Sequence, residues 1–591
     1  MSLNQELSSV FSTTAAILEI KGEPVFKAIA FGKVARLLGD MTLDIATVCK
    51  DGKLDEIEGI GPSSRRIIEE YCKTGRSTDY DELSASVPAG LIPLLSISGL
   101  GPKTIALLWK QRQITSLAEL IDAMDQAKLE GLKGIGEKKI EQIRQGIALH
   151  AQASGRVAII DALPLAQAIL ERLRKLPGIA NIEIAGSLRR GSATVGDIDI
   201  VCSARDEDSA RIIAADFVKI PEAQRVLAHG QTKASILTSA GVQVDLRIVA
   251  PENFGAALLY FTGSKHHNVK LRGRAQDMEM TLNEWGLYRL AAYEKAAKKP
   301  GAAPAIKAVA GATEASVYSA LGLAMIEPEL REDRGEIEAA AAGTLPKLIS
   351  LGDIKGDLHC HTTASDGTAS ILEMARAAQA LGYKFLAITD HSKSQVIANG
   401  LSAERLLKHA ADIRAAGRQL KGITLLAGCE VDILVDGRLD FDDDVLRELD
   451  IVVASPHVSL RQDTAKSTDR LLRAIENRYV NVIGHPTGRL INQRAGLPLD
   501  FPRIFAAAAK TGTALEIIAS WPRLDLDETQ ARAAAAAGAM LAIDTDAHST
   551  AGLGGMPLGI QVARRAWLGP ANVINCLPPE RLLEFIARKR K

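Results

Sequence analysis

Two carboxylates, Asp197 and Asp199, stand two residues apart in an aliphatic, β-branched run that predicts a strand. Side chains alternate along a strand, so we expect both carboxylates on one face, with Ile198 and Ile200 in the core. Neighbouring carboxylates repel each other, and a divalent cation between them relieves that repulsion. A third carboxylate, Asp245, lies on the polar face of a second predicted strand. Three carboxylates on adjacent strands can hold two Mg²⁺ or Mn²⁺ ions bridged by a phosphate.

The segment just before these carboxylates carries groups that suit a polyphosphate. Gly186 and Ser187 offer backbone N–H groups and a hydroxyl, and Arg190 adds a guanidinium fork. Gly196 leads directly into the first carboxylate. The alternative is a surface turn followed by an acidic edge strand. The third carboxylate favours the metal site.

A second set of polar residues follows successive apolar runs beyond residue 354. Helical patterns separate these runs, which indicates a parallel, barrel-like α/β domain whose active site gathers at the carboxyl ends of the strands. Cys360 points away from its two histidine neighbours, so we do not assign it as a ligand. The nine candidate metal ligands are His359, His361, Asp366, His391, Glu430, His457, His485, Asp546 and His548.

A single histidine at a strand end is usually a packed or hydrogen-bonded core residue. Here five separate strands end in histidine or glutamate, and an explanation by core packing would have to hold for each of them. A shared metal centre is the simpler explanation. Mixed histidine and carboxylate ligands suit Mn²⁺, Zn²⁺ or Fe²⁺ better than Ca²⁺.

The first 155 residues are predicted to be helical, with three Gly-apolar-Gly triplets that each precede a helix. Such a turn places free backbone N–H groups at a helix N-terminus, where they can bind a phosphate without reading base sequence. One triplet alone often simply ends a helix, but three resemble helix-hairpin-helix motifs, which hold DNA by its backbone. The glycines are Gly59 and Gly61, Gly99 and Gly101, and Gly134 and Gly136.

Length and composition set the broad class. A chain of 591 residues is too long for one core and should contain three or more domains. Lys plus Arg equals Asp plus Glu at 71 each, so any nucleic-acid surface must be a local patch. No apolar run approaches the roughly 18 residues of a membrane span, and we expect a cytoplasmic protein without a membrane partner. The six cysteines form no CxxC pair, so neither disulfides nor a zinc knuckle is predicted.

The carboxylate segment resembles the palm of family X DNA polymerases, and the run from Tyr260 to Lys265 resembles their nucleotide pocket. The resemblance implies that Tyr260 and Phe261 pack against the sugar and the primer terminus, with the backbone up to Gly263 limiting the ribose. It also implies that Asn268 and Arg272 contact the incoming base and the template strand. The alternative is a core aromatic pair followed by a solvated basic helix.

This chain departs from the family pattern at two positions. Gln243 stands two residues before Asp245, at a position where animal members of the family have arginine. This difference bears on the electrostatic environment of the Asp245 carboxylate. The first hairpin domain of the family often carries a Schiff-base lysine six positions after the second glycine, but here that position is Ile67. Arg65 and Arg66 stay protonated and cannot form the imine. We therefore predict binding of a gap or 5′-phosphate without efficient 5′-deoxyribose phosphate lyase activity.

The order and spacing of the nine ligands resemble the PHP (polymerase and histidinol phosphatase) domain, whose nine ligands hold up to three metals. The resemblance implies that Asp390 orients a ligand and that Arg489 grips phosphate. The family often has asparagine within the segment that corresponds to residues 517–520, and this chain has none there. Its substrate contacts in this segment should therefore differ from those of the family. Residues 291–312 and the basic tail 588–591 lie outside the resemblance. We expect the first to be an exposed insertion and the tail to be solvated, with DNA contact as the alternative.

The predicted fold is multidomain: an all-α helix-hairpin-helix part, an α+β nucleotidyltransferase palm with a thumb, and a seven-stranded, distorted TIM-like α/β PHP barrel. The predicted boundaries are 1–80 and 81–155 for two helical DNA-binding domains, 156–250 for the palm, 251–330 for the thumb, 331–353 for a linker and 354–591 for the PHP domain.

The resemblance implies a polymerase that fills short gaps in base excision repair, with PHP 3′→5′ exonuclease, 3′-phosphatase and abasic-site endonuclease activities. Its partners would be gapped or primer-template DNA with a 5′-phosphate, and dNTPs, bound by a monomer. Three alternatives are an end-processing nuclease with a weak polymerase clamp, a transferase for RNA ends or a small acceptor, and a DNA-binding scaffold. The intact carboxylates argue against the first alternative, the hairpins against the second and the metal ligands against the third.

Overall fold

The computed structural model describes residues 3–40, 45–50, 52, 54, 57, 60–97, 99–126, 128–129, 132, 135–153, 156–296 and 304–590. Two compact units make up the chain: residues 1–154 with 492–495, and residues 155–491 with 496–591. None of the described helices combines the length and apolar character needed to cross a bilayer.

The first unit is helical in its described parts, as predicted. Gly61 and Gly101 are extended and lead into helices that begin with Pro62 and Pro102, because proline is well suited to the first position of a helix. The helices are α1 (Leu3–Lys21), α2 (Val25–Asp40), α3 (Ile45–Lys50), α4 (Pro62–Thr74), α5 (Thr78–Ala85), α6 (Leu91–Leu94), α7 (Pro102–Arg112), α8 (Leu117–Asp125) and α9 (Glu137–Ala153).

The second unit begins with a mixed sheet of five strands in the order β2-β4-β7-β6-β5, of which only β4 and β7 pair in parallel. The helices α10 and α12 contribute to the core of the sheet. The elements are β1 (Val157–Ala158), α10 (Ile159–Leu173), β2 (Ile179–Ile184), α11 (Gly186–Arg189), β3 (Thr194–Val195), β4 (Ile198–Ala204), α12 (Glu207–Phe217), β5 (Ala223–His229), β6 (Lys233–Thr238) and β7 (Gln243–Val249).

A small helical region with one hairpin follows: α13 (Phe254–Thr262), α14 (Lys265–Asp277), β8 (Met280–Asn283), β9 (Gly286–Arg289), α15 (Leu290–Ala296), α16 (Glu314–Ala320) and α17 (Glu336–Ala342). The expectation of an exposed insertion at 291–312 is wrong for its last residues. The carbonyl of Gly311 accepts from Ala256 N at 2.8 Å, and Ala310 bridges to Leu287, so this end packs against α13 and β9. Residues 297–303 lie outside the described part.

The last region is a parallel sheet of seven strands in sequential order, as predicted, with an isolated bridge between Cys360 and Ala547 joining its two edges. Its strands are β10 (Gly356–Asp357), β11 (Phe385–Ile388), β12 (Thr424–Asp432), β13 (Ile451–Ser455), β14 (Val482–Ile483), β15 (Ala514–Ile518) and β16 (Leu541–Asp544). Its helices are α18 (Ile371–Ala380), α19 (Ala403–Gly417), α20 (Asp443–Leu446), α21 (Thr464–Glu476), α22 (Phe501–Thr511), α23 (Glu528–Ala536), α24 (Met556–Arg565) and α25 (Pro579–Arg590).

The expectation of a solvated basic tail is wrong for Lys589 and Arg590, whereas Arg588 is exposed. Lys589 Nζ donates to the carbonyls of Ile475 at 2.7 Å and Val480 at 2.6 Å, and Arg590 donates to the carbonyl of Leu449. Burial lowers the pKa of Lys589 to about 7. The tail therefore continues α25 and anchors it to the barrel.

Candidate functional site

The three predicted carboxylates meet on neighbouring strands. Asp199 on β4 stands directly opposite Asp245 on β7, and Asp197 lies one residue before β4 begins. Ile198 and Ile200 are fully buried beneath them, so the alternation of the strand projects the carboxylates from the opposite face. The sheet register thus brings together the residues that the sequence separates.

The three carboxylates are not electrostatically equivalent. Burial, with the charges of Asp197 and Asp245, raises the pKa of Asp199 to about 7. Burial would also raise the pKa of Asp245, but a hydrogen bond from Gln243 at 2.9 Å and the Lys233 ammonium at 3.3 Å lower it. A carboxylate whose charge is disfavoured by its neighbours is the environment that a divalent cation stabilises. The residues present therefore fit the predicted metals.

Position 186 requires glycine. Its φ of +65° is a left-handed conformation, and a Cβ there would lie 2.3 Å from Asp199 Oδ2. Its backbone is thus packed against the carboxylates, at the entrance to a cavity of about 480 Å³. The cavity is lined by Gly186, Ser187, Arg190, Asp197, Asp199, Tyr260, Phe261, Thr262, Gly263, Lys265, Asn268 and Arg272.

The cavity collects nearly all of the predicted nucleotide contacts, and it adds Thr262 and Lys265, which we had not predicted as contacts. Gly196 is not among its lining residues. The rings of Tyr260 and Phe261 meet edge to face at 5.2 Å between centroids.

Two polar side chains of the cavity are held in place by their neighbours. Asn268 Nδ2 donates to the carbonyl of Tyr260 at 2.7 Å. Arg190 donates through Nη1 to the carbonyl of Thr262 at 2.6 Å and through Nε to Glu332 at 3.0 Å. A fixed guanidinium is better prepared for a phosphate than a mobile one, because less side-chain entropy is lost on binding.

The glycine triplets are only partly described. Gly61, Gly101 and Gly136 directly precede α4, α7 and α9, as the motif requires. Gly99 has a φ of +94°, and its position favours glycine. The predicted contacts Gly59 and Gly134 lie outside the described residues.

The predicted metal ligands of the barrel converge at the carboxyl ends of its strands. Their ligand atoms form three groups, each with its members within 4.8 Å of one another. The groups are His361, Asp366, His391 and His548; His359, His361, Glu430 and Asp546; and His391, Glu430 and His457. The ninth residue, His485, places Nε2 at 2.9 Å from Glu430 Oε1.

Glu430 is the centre of this cluster. Its side chain is fully buried, with His391 Nδ1 at 2.8 Å from Oε2 and His457 Nε2 at 3.2 Å from Oε1. Burial alone would raise the pKa of Glu430, but the surrounding histidines hold it well below its usual range. A fully ionised carboxylate that faces several imidazoles can bridge more than one cation.

Several buried atoms of the cluster lack a hydrogen-bond partner within the described part of the chain. They are His359 Nε2, His361 Nδ1, His391 Nδ1, Glu430 Oε2 and His485 Nδ1. Unpaired buried polar atoms are costly, so their convergence fits a cation-binding centre. His391 Nδ1 and Glu430 Oε2 illustrate this, because they are only 2.8 Å apart without hydrogen-bond geometry, as two ligands of one ion would be.

Two outer carboxylates that are not among the nine predicted ligands orient the histidines. Glu516 accepts from His359 Nδ1 at 2.8 Å, and Asp432 accepts from His457 Nδ1 at 2.7 Å. Such contacts fix the ring orientation of a ligand. The signal available in the sequence was a carboxylate within an apolar run: Glu516 lies in the middle of β15, and Asp432 stands two residues after Glu430 at the end of β12.

The expected role of Asp390 needs correction, and that of Arg489 is not tested by its contacts. Asp390 accepts from Thr362 N at 2.9 Å and from His409 Nε2 at 2.8 Å, so it holds the loop before Asp366 and does not orient a ligand ring. Arg489 donates to the carbonyls of Arg523 and Leu524. These contacts hold the guanidinium in place, and its expected grip on phosphate stays a prediction.

A chain of ion pairs joins the nucleotide cavity to the barrel. Glu332, which pairs with Arg190, also accepts from Arg565 Nη1 at 2.9 Å. Arg565 is only 7% exposed, and its Nη2 donates to Glu528 at 2.8 Å. The two centres thus share one packed interface within the second unit.

Four family models match the chain. They are described as a helix-hairpin-helix domain (residues 2–77), a SAM-like helix-hairpin-helix tandem (91–148), the DNA polymerase beta thumb (257–332) and the PHP domain (357–504).

Known proteins are similar over the whole chain or over the barrel. The DNA polymerase/3′-5′ exonuclease PolX of Bacillus subtilis (strain 168) is 38% identical over 586 residues, which covers 99% of each chain. A probable phosphatase of Edwardsiella ictaluri (strain 93-146) is 32% identical over 243 residues, 39% of this chain and 94% of its own. Another from Thermoanaerobacter sp. (strain X514) is 28% identical over 246 residues, 40% of this chain and 95% of its own.

Proposed function

Because the chain belongs to the family X DNA polymerases that carry a C-terminal PHP domain, we propose that it both extends DNA primers and shortens their 3′ ends. The observation that carries the polymerase half is the cavity in which Asp197 and Asp199 meet the residues from Tyr260 to Gly263. A carboxylate site next to an aromatic, backbone-lined pocket suits a nucleoside triphosphate better than a small acceptor.

In this proposal Asp197 and Asp199 bind both cations of the polymerase site, and Asp245 binds the one that activates the primer 3′-hydroxyl. Ser187 and Arg190 hold the triphosphate. When bound, Mg²⁺ or Mn²⁺ supplies charge neutralisation and alignment of the reacting phosphate. Gly196 supports the turn into the first carboxylate.

Other residues of the cavity select the dNTP. Tyr260 and Phe261 pack against its sugar, with the Gly263 backbone limiting the ribose, while Asn268 and Arg272 contact the base and the template strand. The glycine triplets of the first unit hold the DNA backbone around a short gap.

The barrel would hydrolyse phosphate esters at DNA ends as a 3′→5′ exonuclease, a 3′-phosphatase and an abasic-site endonuclease. When bound, up to three Mn²⁺, Zn²⁺ or Fe²⁺ ions would supply charge neutralisation for the phosphate and water activation. His359, His391 and Glu430 hold these ions with the other six ligands. Asp366 and His548 are the most exposed of the nine ligands, at 32% and 38% side-chain exposure, so substrate enters on their side.

We expect no efficient 5′-deoxyribose phosphate lyase activity. Ile67, at the position where the family often has lysine, is 2% exposed and packs in the core of the first unit, and Arg66 is paired with Asp79. Borohydride trapping on a gapped substrate with a 5′-deoxyribose phosphate should give no strong adduct. A strong adduct would show that another lysine performs the reaction.

The biological role that we propose is filling of short gaps in base excision repair by a monomer in the cytoplasm. The second candidate is an end-processing nuclease that uses a weak polymerase half as a DNA clamp. The two hypotheses differ in whether wild-type protein extends a primer.

The test uses a labelled primer on a one-nucleotide gap with a 5′-phosphate and Mn²⁺, with and without dNTPs. Asp197→Ala should lose extension and keep shortening, whereas His359→Ala should lose shortening and keep extension. That pattern would support two independent sites. Shortening without extension by wild-type protein would refute the polymerase half and favour the nuclease.

A further inference from the structure

The loop that follows the ligand His391 presents two large apolar side chains to solvent. Val396 is 81% exposed and Ile397 86%, the highest values among the large hydrophobic side chains of the described residues. Neighbouring apolar side chains that make little contact with the described part of their own chain point to a contact with another molecule.

This loop is tied down at its base. Leu401 N donates to the carbonyl of His391 at 2.8 Å, which closes the loop. Asn399 Nδ2 donates to the carbonyl of Ala364 at 3.3 Å, and Arg405 Nη2 donates to the same carbonyl at 2.8 Å. A loop held by both its backbone and its side chains can press a fixed shape against a ligand without first having to become ordered.

The anchors of the loop are the segments that carry the metal ligands. Ala364 lies two residues before Asp366, one of the ligands on the open side of the centre. Gln395, next to the apolar pair, donates to Asp432 at 3.0 Å, and the same carboxylate oxygen accepts from His457 at 2.7 Å. The loop that carries the apolar tip is therefore attached to the segments that hold the ligands Asp366 and His457.

We propose that Val396 and Ile397 form a wedge that packs against the last base pair of a DNA duplex and unstacks the 3′-terminal nucleotide. This inference rests on the proposed exonuclease function. The 3′-terminal phosphodiester of a paired end is held by stacking and pairing, so a site that hydrolyses it must first separate the nucleotide. Isoleucine and other apolar side chains can stack on exposed base faces and support such an opened end.

The charges around the tip fit the same substrate. Lys393 is exposed and precedes the apolar pair in sequence, so its ammonium can pair with a phosphate that flanks an opened base. Arg405, which follows the pair, is also exposed, but its guanidinium holds the loop. An apolar tip beside basic residues suits a nucleic acid end better than an acidic small molecule.

The test compares the double variant Val396→Ser/Ile397→Ser with wild-type protein on three substrates in Mn²⁺. The substrates are a duplex with a recessed 3′ end, the same strand unpaired, and bis(p-nitrophenyl) phosphate. We expect cleavage of the duplex to fall about tenfold, because unstacking loses its support, while the other two rates stay unchanged. Leu381→Ser, at a 51% exposed apolar position on another surface, is the matched control and should change none of the rates.

Two results would overturn the wedge. Equal losses on all three substrates would mean that the loop only supports the metal centre, and an unchanged duplex rate would mean that the tip serves another partner. A second measurement separates this inference from the proposed function. In EDTA, 2-aminopurine at the 3′ terminus should brighten when wild-type protein binds the duplex and not when the double variant binds. If wild-type protein cleaves no DNA, the proposed nuclease fails, and this signal still decides whether the tip unstacks an end.

Discussion

Replacing Asp199 with asparagine should stabilise the metal-free protein while it abolishes primer extension. Burial and the charges of Asp197 and Asp245 raise the pKa of Asp199 to about 7, whereas an unfolded aspartate titrates near about 3.9. Between these two values the folded protein binds a proton that the unfolded chain releases. Stability is therefore lost as the pH rises from about 4 to about 7, and it stays low above that range.

The size of the effect follows from the two pKa values. Each pKa unit is worth about 1.4 kcal/mol of unfolding free energy. The ionisation of Asp199 therefore costs the folded protein at most about 1.5 kcal/mol at pH 5 and about 4 kcal/mol at pH 8. Asparagine carries no charge and avoids this cost. The cavity opens to solvent, which screens the repulsion, so we expect a gain of about 2 kcal/mol at pH 8.

The assay is calorimetric melting in EDTA at pH 5 and pH 8, read on the transition of the second unit. Asp199→Asn should raise the melting temperature by several degrees at pH 8 and by less at pH 5. The matched control is Asp245→Asn, which should lower it, because Gln243 and Lys233 favour the ionised form of that carboxylate. A gain of the same size at both pH values, or a gain in both variants, would refute the electrostatic reasoning.

Two further predictions concern the barrel. Glu430→Gln should reduce bound metal by at least one ion per chain, measured by mass spectrometry. The control variant Cys360→Ser should keep all of its metal, because the Cys360 thiol faces the hydrophobic core. Equal metal contents in the two variants would contradict the central role of the Glu430 carboxylate. Arg565→Met should destabilise the protein by about 3 kcal/mol in urea unfolding, because it leaves two partly buried carboxylates without their shared guanidinium. The exposed ion-paired Arg581→Met should cost much less, and similar losses in both variants would refute the argument from burial.

Local pattern and residue chemistry were enough to predict much of this protein. Strand alternation places Asp197 and Asp199 on one face because the period of two is a property of the backbone itself. The repeated apolar runs of the barrel predicted parallel strands, and a ligand such as Glu430 at a strand end predicted a shared metal centre, because parallel strands all end at the same face.

Contacts between distant segments could be found only in the folded chain. Glu516 meets His359 across the barrel, and sequence spacing gives no distance between them. The expected role of Asp390 was wrong for the same reason, since the hydrogen-bond partners of a buried side chain are chosen by the fold. The sequence by itself determined which chemistry the residues could perform. Only the tertiary structure decided which carboxylates hold ligands in place and which loop is attached to the ligand segments, because hydrogen bonding and burial depend on packing between segments far apart in the chain.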